Sequence, residues 1–398
     1  MNVLKYINEH GFEYTAKIIY KYKIEDILNR IAYFFTKFLP LKNFIVIESH
    51  NDFDSNGGAL YDYLIEHGYN KKYKIFWLLK NKKNKGLPSN VKAFYLYKPS
   101  IKKAIIIARA KYIFTCQDCI GSSRKDQISV YLTHGGFGLK RWRGKMRLPS
   151  NLTYVLMPSI QLNQIERFNY EIENKKVKSL ILGYPEDDIL YKPSNNELSK
   201  ITSKKYKKVF LWMPTFRKTK DGRNDTSLKG GIGIPIFNKL DDVKKLNEEL
   251  SKNNSLLIIK IHPMQDLKTV KIREMSNIIV LDGISVKKLN VDNYQLMKDT
   301  DALISDYSSA AYDYMHLNRP IGFTMDDVKD YKLGLIVDNP EKLIGGKIIK
   351  NNVEFLEFIQ EVLDGKDTYK VKRNRVFDTV FDYHDGNSCE RLVKFLKL

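Results

Sequence analysis

From Phe44 onward, short runs of β-branched and aromatic residues alternate with segments whose apolar residues recur at helical spacing. Phe44–Glu48, Ile75–Leu79, Phe94–Tyr97, Tyr112–Cys116, Ile128–Thr133 and Tyr154–Met157 read as strands, with helices near Ile101–Arg109 and Ser159–Phe168. Leu182–Pro185 closes this series, and the polar stretch 186–206 has weak periodicity, which places a domain boundary there. A second series follows: Val209–Met213, a helix over 236–251, Leu256–Ile261, a helix near 265–275, Ile278–Leu281, Ala302–Ser305 with its helix, and Ile321–Thr324. Strands that alternate with helices form parallel sheets. The pattern predicts an α/β protein with two parallel-sheet domains, 44–190 and 200–398, and a last helix over about 389–398.

Residues 1–43 differ. Leu4, Ile7, Phe12, Ile18, Ile27, Ile31, Phe34, Phe35 and Phe38 recur at helical spacing, with Lys5, Lys17, Lys21, Arg30 and Lys37 between them. Such a segment suits either an anionic membrane surface, apolar face down, or packing on the first domain. No apolar run approaches the roughly 20 residues that cross a bilayer, and no secretory leader pattern opens the chain.

With 398 residues and 43% hydrophobic content the chain can fill two cores. Three cysteines exclude a disulfide scaffold and suit a reducing compartment. Cys116 and Cys119 form a CxxC, but a zinc site needs two more ligands and only the distant His384 and Cys389 offer themselves. The formal charge of +21 favours polyanionic partners: nucleic acid, anionic lipid or a phosphate-rich substrate. The seven lysines of 71–85 read first as solvated strand flanks.

Four strands deliver polar or titratable groups at their carboxyl ends, the edge where open α/β sheets bind ligands. Ser305–Pro320, SDYSSAAYDYMHLNRP, follows an apolar strand and opens a helix. Ser308, Ser309 and the amides after them make either an anion site for a diphosphate or an ordinary helix cap. Asp306 either caps that helix or orients His262. His134, before Gly135 and Gly136, sits where a general base for an alcohol belongs. Lys140, Arg141 and Arg143 open a basic run suited to gripping a phosphorylated acceptor. His262, before Pro263, suits a phosphate or a departing phosphate. Arg217 in PTFR suits neutralising a phosphoryl group. Arg319 reads as structural. GxxxxGK[ST], GxSxG and HExxH are absent.

THGGFGLK, MPTFR, KIHP and SDYSSAAYDYMHLNRP, in this order, resemble the CDP-glycerol glycerophosphotransferase family, the teichoic-acid primases and polymerases. Weaker likeness runs from Glu48–Tyr63 through LGYPEDDIL to YHDGNSCERLVKFL. The resemblance implies two Rossmann-like domains in a glycosyltransferase-B-like arrangement: an acceptor domain, a CDP-donor domain and a final helix crossing back. It implies transfer of glycerol phosphate, or a related polyol phosphate, from a CDP-linked donor to an acceptor hydroxyl, with release of CMP. His134 matches the family's base and His262 its second histidine. Arg217, Ser308 and Ser309 match positions near the donor phosphates. The implied partners are a CDP-linked polyol, a lipid-linked or phosphorylated glycan acceptor and an anionic membrane. The implied place is the cytoplasmic membrane face, for teichoic acid or a capsule-type polymer. No cofactor, metal site or nucleic acid is expected. Two departures stand out: Gly136–Phe137–Gly138 replaces the usual Thr and Pro after His-Gly, and Phe216 replaces a Trp.

These readings give an in-line displacement at the polyol-bearing phosphorus, with His134 taking the acceptor proton. Two rivals remain at this stage: a nucleotide-sugar glycosyltransferase of surface polysaccharide synthesis, and a non-catalytic polyanion-binding protein.

Overall fold

Runs such as Ile45–Val46–Ile47 and Leu257–Ile258–Ile259 are apolar on both faces, as interior strands of a covered parallel sheet must be. Both become such strands in the computed structural model, which describes residues 7, 11–81, 86–219, 225 and 231–398. Leu4, Lys5, Lys82, Lys83 and Lys85 lie outside the described residues, as do the side chains of residues 14, 17, 18 and 21.

The first sheet contains β1 (Lys42–Ile47), β2 (Lys74–Leu79), β3 (Val91–Tyr95), β4 (Ala110–Thr115), β5 (Ile128–Tyr131), β6 (Tyr154–Leu156) and β7 (Lys178–Leu180). Its order is β3-β2-β1-β4-β5-β6-β7, and every pairing is parallel. The second contains β8 (Lys208–Trp212), β9 (Ser255–Lys260), β10 (Ile278–Leu281), β11 (Ala302–Ser305), β12 (Ile321–Thr324) and β13 (Lys347–Ile349). It runs β10-β9-β8-β11-β12-β13, again all parallel. In each sheet the chain winds outward, then returns to the other side of its first strand. The switch points therefore lie between β1 and β4 and between β8 and β11, where doubly wound sheets open a ligand crevice.

One apolar core links the two halves. It joins Ile45, Phe114 and Val130 of the first sheet to Leu211, Ile258 and Leu303 of the second. The helix Ser388–Leu396 packs against elements of the first half. Its Ser388 and Cys389 amides donate to Asp188 at 2.8 Å each, and Tyr112 Oη donates to the Leu396 carbonyl at 2.9 Å.

The helix expected near 265–275 is absent; a short 3₁₀ turn, Leu267–Thr269, stands there. Pro263 and Asp266 break the start, and Val270 and Ile272 are buried at a spacing of two, an extended pattern. The helix expected over Ser159–Phe168 begins later and spans Asn163–Asn169.

The N-terminal pattern includes the helix Phe12–Thr36. Ala32 and Leu28 pack on Ala104 and Ala108 of the helix Ile101–Arg109, and Lys103 Nζ reaches Glu25 at 3.0 Å. Elsewhere the helix and the turn after it leave Phe12, Phe34, Phe35 and Phe38 exposed. Among the described residues no helix is long and apolar enough to cross a membrane.

Candidate active site

β5 ends at Tyr131, and two residues later Thr133 adopts φ 63°. A β-branched residue in that region is strained, a cost usually met at functional turns. The turn is held: Thr133 Oγ1 donates to the Gly135 carbonyl (2.8 Å), and Asn56 Nδ2 donates to the Leu132 and Thr133 carbonyls (3.0 and 3.2 Å). His134 follows directly on Thr133 in this held turn. It is reached by solvent yet crowded by protein. This desolvation, then His50 and Lys140, lower its pKa to about 4. One ring nitrogen is hydrogen-bonded to the Cys116 carbonyl, which leaves the other with its lone pair in the neutral form. That is the state a proton acceptor needs.

His262 lies two residues past the end of β9, directly before Pro263, which keeps the chain extended there. His262 Nδ1 accepts from the Met264 amide at 3.1 Å, and its ring lies 4.9 Å from the Phe216 ring. With Nδ1 accepting, the neutral ring carries its proton on Nε2. Desolvation, then Lys140 and Lys260, hold its pKa down at about 3. His262 is thus a hydrogen-bond donor where His134 is an acceptor. Lys140 and His50 act electrostatically on both rings, which ties the two histidines into one cluster.

The start of the helix Ser309–Asp313 lies under the His134 loop. Ser308 is its N-cap, its Oγ accepting from the Ala310 amide at 3.4 Å. A Cβ on Gly135 would fall 2.6 Å from Ser309 Oγ, and one on Gly138 3.1 Å from the Ser309 nitrogen. The glycines let the two halves touch here. The helix has only five residues before a 3₁₀ turn, so local N–H groups matter more than a macrodipole.

Asp306 and Arg217 belong to one ion-pair network. Asp306 does not cap the helix and makes no hydrogen bond to His262; its Oδ2 accepts from the Thr215 amide (3.0 Å), Thr215 Oγ1 (2.8 Å) and Arg217 Nη1 (2.9 Å). Arg217 also grips Asp327, Nε to Oδ2 at 2.5 Å and Nη2 to Oδ1 at 3.1 Å. Its guanidinium is therefore engaged by two carboxylates. Of the acceptor candidates, only Lys140 bears on the histidines. Arg141 donates from Nε to the Leu335 carbonyl (3.0 Å), and Arg143 stacks on Phe168 (3.7 Å) and pairs with Glu173 (2.9 Å). Arg319 holds the Lys298 and Thr300 carbonyls. Cys116 accepts from the Gly57 amide at 3.1 Å, and no metal-holding group of His, Cys, Asp and Glu occurs among the described residues.

The match of a family model decides the identity. The model, described as CDP-glycerol:poly(glycerophosphate) glycerophosphotransferase, matches residues 31–398. The chain belongs to this family. It is accordingly an enzyme, a glycerophosphotransferase whose family draws on CDP-glycerol. It is 26% identical to a teichoic acid poly(glycerol phosphate) polymerase of Bacillus spizizenii, with 96% of this chain and 99% of that one covered. It is 25% identical to a teichoic acid glycerol-phosphate primase of Bacillus subtilis, over 93% and 95%. Among solved structures, the wall teichoic acid polymerase TagF aligns with a TM-score of 0.72 at 19% identity, covering 100% of this chain and 97% of that one. This likeness shows the shared glycosyltransferase-B-like fold.

Within this glycerophosphotransferase, the departure at Gly136 has a local cause. A Cβ there would meet Asp313 Oδ1 at 2.6 Å and the Tyr184 ring at 3.3 Å. Sequence reasoning missed His50. It follows β1 at the first switch point and stacks on His134, ring centres 5.1 Å apart and planes 13° from parallel. Its Nδ1 donates to Gln117 Oε1 at 2.8 Å. Buried Glu48, just before His50 in the chain, accepts from the Cys116 and Gln117 amides (2.9 Å each) and pairs with Lys80 (2.8 Å). Position three residues after a strand at a switch point was the available signal.

Proposed function

We propose that this enzyme transfers glycerol phosphate from CDP-glycerol to an acceptor hydroxyl in teichoic-acid-type polymer synthesis, with His134 as base and His262 as donor to the departing phosphate. The observation that carries the reading is the complementary state of the two histidines: a free lone pair on one ring, an N–H on the other. The acceptor oxygen attacks the glycerol-bearing phosphorus as its proton passes to His134. The P–O bond to CMP breaks, and the CMP phosphate keeps the electron pair beside His262 Nε2. Ser308, Ser309 and their amides hold the donor phosphates, and Lys140 faces the acceptor. Arg217 and Asp306 brace the loop that presents Phe216 rather than touching substrate.

The exposed aromatics at the N-terminal helix and its following turn, with Lys37 set against Phe34 and Phe38, support a peripheral site on an anionic membrane face. A lipid-linked acceptor would be presented at that surface.

The test is a donor panel of CDP-glycerol, CDP-ribitol and UDP-sugars, with released nucleotide measured against a phosphorylated glycan acceptor. CMP release from CDP-glycerol is expected. His134→Ala should lose turnover by about 10²–10⁴-fold while still binding donor. Turnover of a UDP-sugar instead, or an active His134→Ala, overturns the reading.

A further inference from the structure

Four lysines are buried among the described residues: Lys103, Lys260, Lys298 and Lys347. Three are fully engaged. Lys103 Nζ donates to the Leu96 and Lys98 carbonyls and pairs with Glu25. Lys298 Nζ donates to the Ile189, Lys192 and Pro193 carbonyls. Lys347 pairs with Glu357 and Glu361. Lys260 differs. It is only 7% exposed, and its ammonium makes no hydrogen bond or ion pair with the described residues. The one favourable charge that it feels is the more distant Asp292.

A desolvated ammonium without a partner is costly, and proteins rarely keep one without use. Its place in the fold indicates the use. Lys260 is the last residue of β9, at the carboxyl edge that binds ligands in such sheets. Alternation along the extended chain turns it to the same side as His262, two residues on. That side also carries Leu256 and Ile258, which join the core shared by both halves, whereas Leu257 and Ile259 face the other core. Lys260 and His262 are close enough for each charge to bear on the other. Arg217, the cation expected to neutralise the donor, is already held by two carboxylates.

We propose that Lys260 is a donor-binding residue whose ammonium pairs with the diphosphate of the CDP-linked substrate. The inference rests on the function proposed above and deepens it: the counter-charge missing from the protein is the one that the substrate brings. Desolvation lowers the Lys260 pKa to about 8, and an arriving dianion would restore the charged form.

The experiment compares full-length wild type with Lys260→Met and Lys260→Gln. It measures binding of CDP-glycerol and of CDP by calorimetry, KM and kcat for CMP release, and thermal melting. Loss of one charge-assisted contact should weaken both ligands by about ten- to a hundredfold. Cytidine, which has no phosphate, should bind all three proteins alike. Removing an unpaired buried charge should leave the melting temperature unchanged or higher, a result that a purely structural lysine would not give. Unchanged CDP-glycerol affinity and KM in both variants overturns the assignment and leaves the proposed function standing. Melting far below wild type in both variants also overturns it, because it makes the ammonium a support of the fold. A wild type that neither binds nor cleaves CDP-glycerol overturns the proposed function and the assignment together.

Discussion

Arg217 separates a phosphate ligand from a structural clasp. Its side chain is 12% exposed, and the carboxylates that it holds, Asp306 and Asp327, are 0% and 2% exposed. Tyr307 Oη donates to the same Asp327 at 2.7 Å, which adds a further group to the network. Arg217→Met removes the cation and strands two buried carboxylates. Breaking a buried pair in this way costs about 3–5 kcal/mol. For a domain of about 150–250 residues, each kcal/mol moves the melting temperature by about 2–4 °C, so a fall of about 6–20 °C is expected. Thermal melts of the full chain, followed by near-ultraviolet dichroism, would read it. The triple variant Arg217→Met/Asp306→Asn/Asp327→Asn removes the stranded charges and should recover most of the loss, which single-site additivity would not give. If Arg217→Met melts like wild type while KM for CDP-glycerol rises at least tenfold, the clasp is wrong and Arg217 is a donor ligand.

His50→Phe keeps a ring against His134 but removes a group whose charge lowers its pKa. The acidic limb of kcat/KM should therefore move to higher pH, and a pH profile identical to wild type would exclude electrostatic coupling. Gly136→Ala drives a methyl to 2.6 Å from Asp313 Oδ1, an overpacking worth about 1–3 kcal/mol, and should lower both melting temperature and kcat. Phe35→Glu and Phe38→Glu, at side chains 74% and 88% exposed, should leave stability and soluble-acceptor turnover alone. Their binding to vesicles containing anionic lipid should fall, as co-sedimentation would show.

The sheets were readable because their strands are short, β-branched and apolar on both faces, as Leu256–Ile261 illustrates. The positions of His134 and His262 just past strand ends were readable for a related reason: each closes a short apolar run. The carboxylate partners of Arg217 were not readable because they lie 89 and 110 residues away, and spacing carries no trace of them. Lys260 was hidden in plain view as the polar end of a hydrophobic run. Its meaning depends on an absence of neighbours, which only coordinates reveal. His50 was hidden by its loop, since its partner His134 arrives from another strand. The extended segment at 270–272 was misread because an apolar pair two apart fits a strand as well as the ragged edge of a helix.

The state of His134 bears on how the reaction is ordered. A pKa of about 4 makes the ring neutral at physiological pH, but a weak base. The causes are desolvation and cationic or titratable neighbours, and the donor opposes the second of these. One phosphate charge about 4 Å away, at an effective dielectric near 20, is worth about 4 kcal/mol. That is roughly three pK units, enough to carry His134 from about 4 toward neutrality. The same charge would raise the His262 pKa from about 3 and so favour its protonated form. Without such a charge both imidazoles are neutral and weakly basic. On the proposed mechanism the donor's own anion would tune them as it binds, so that an acceptor hydroxyl would be activated only when a donor phosphorus is there to receive it.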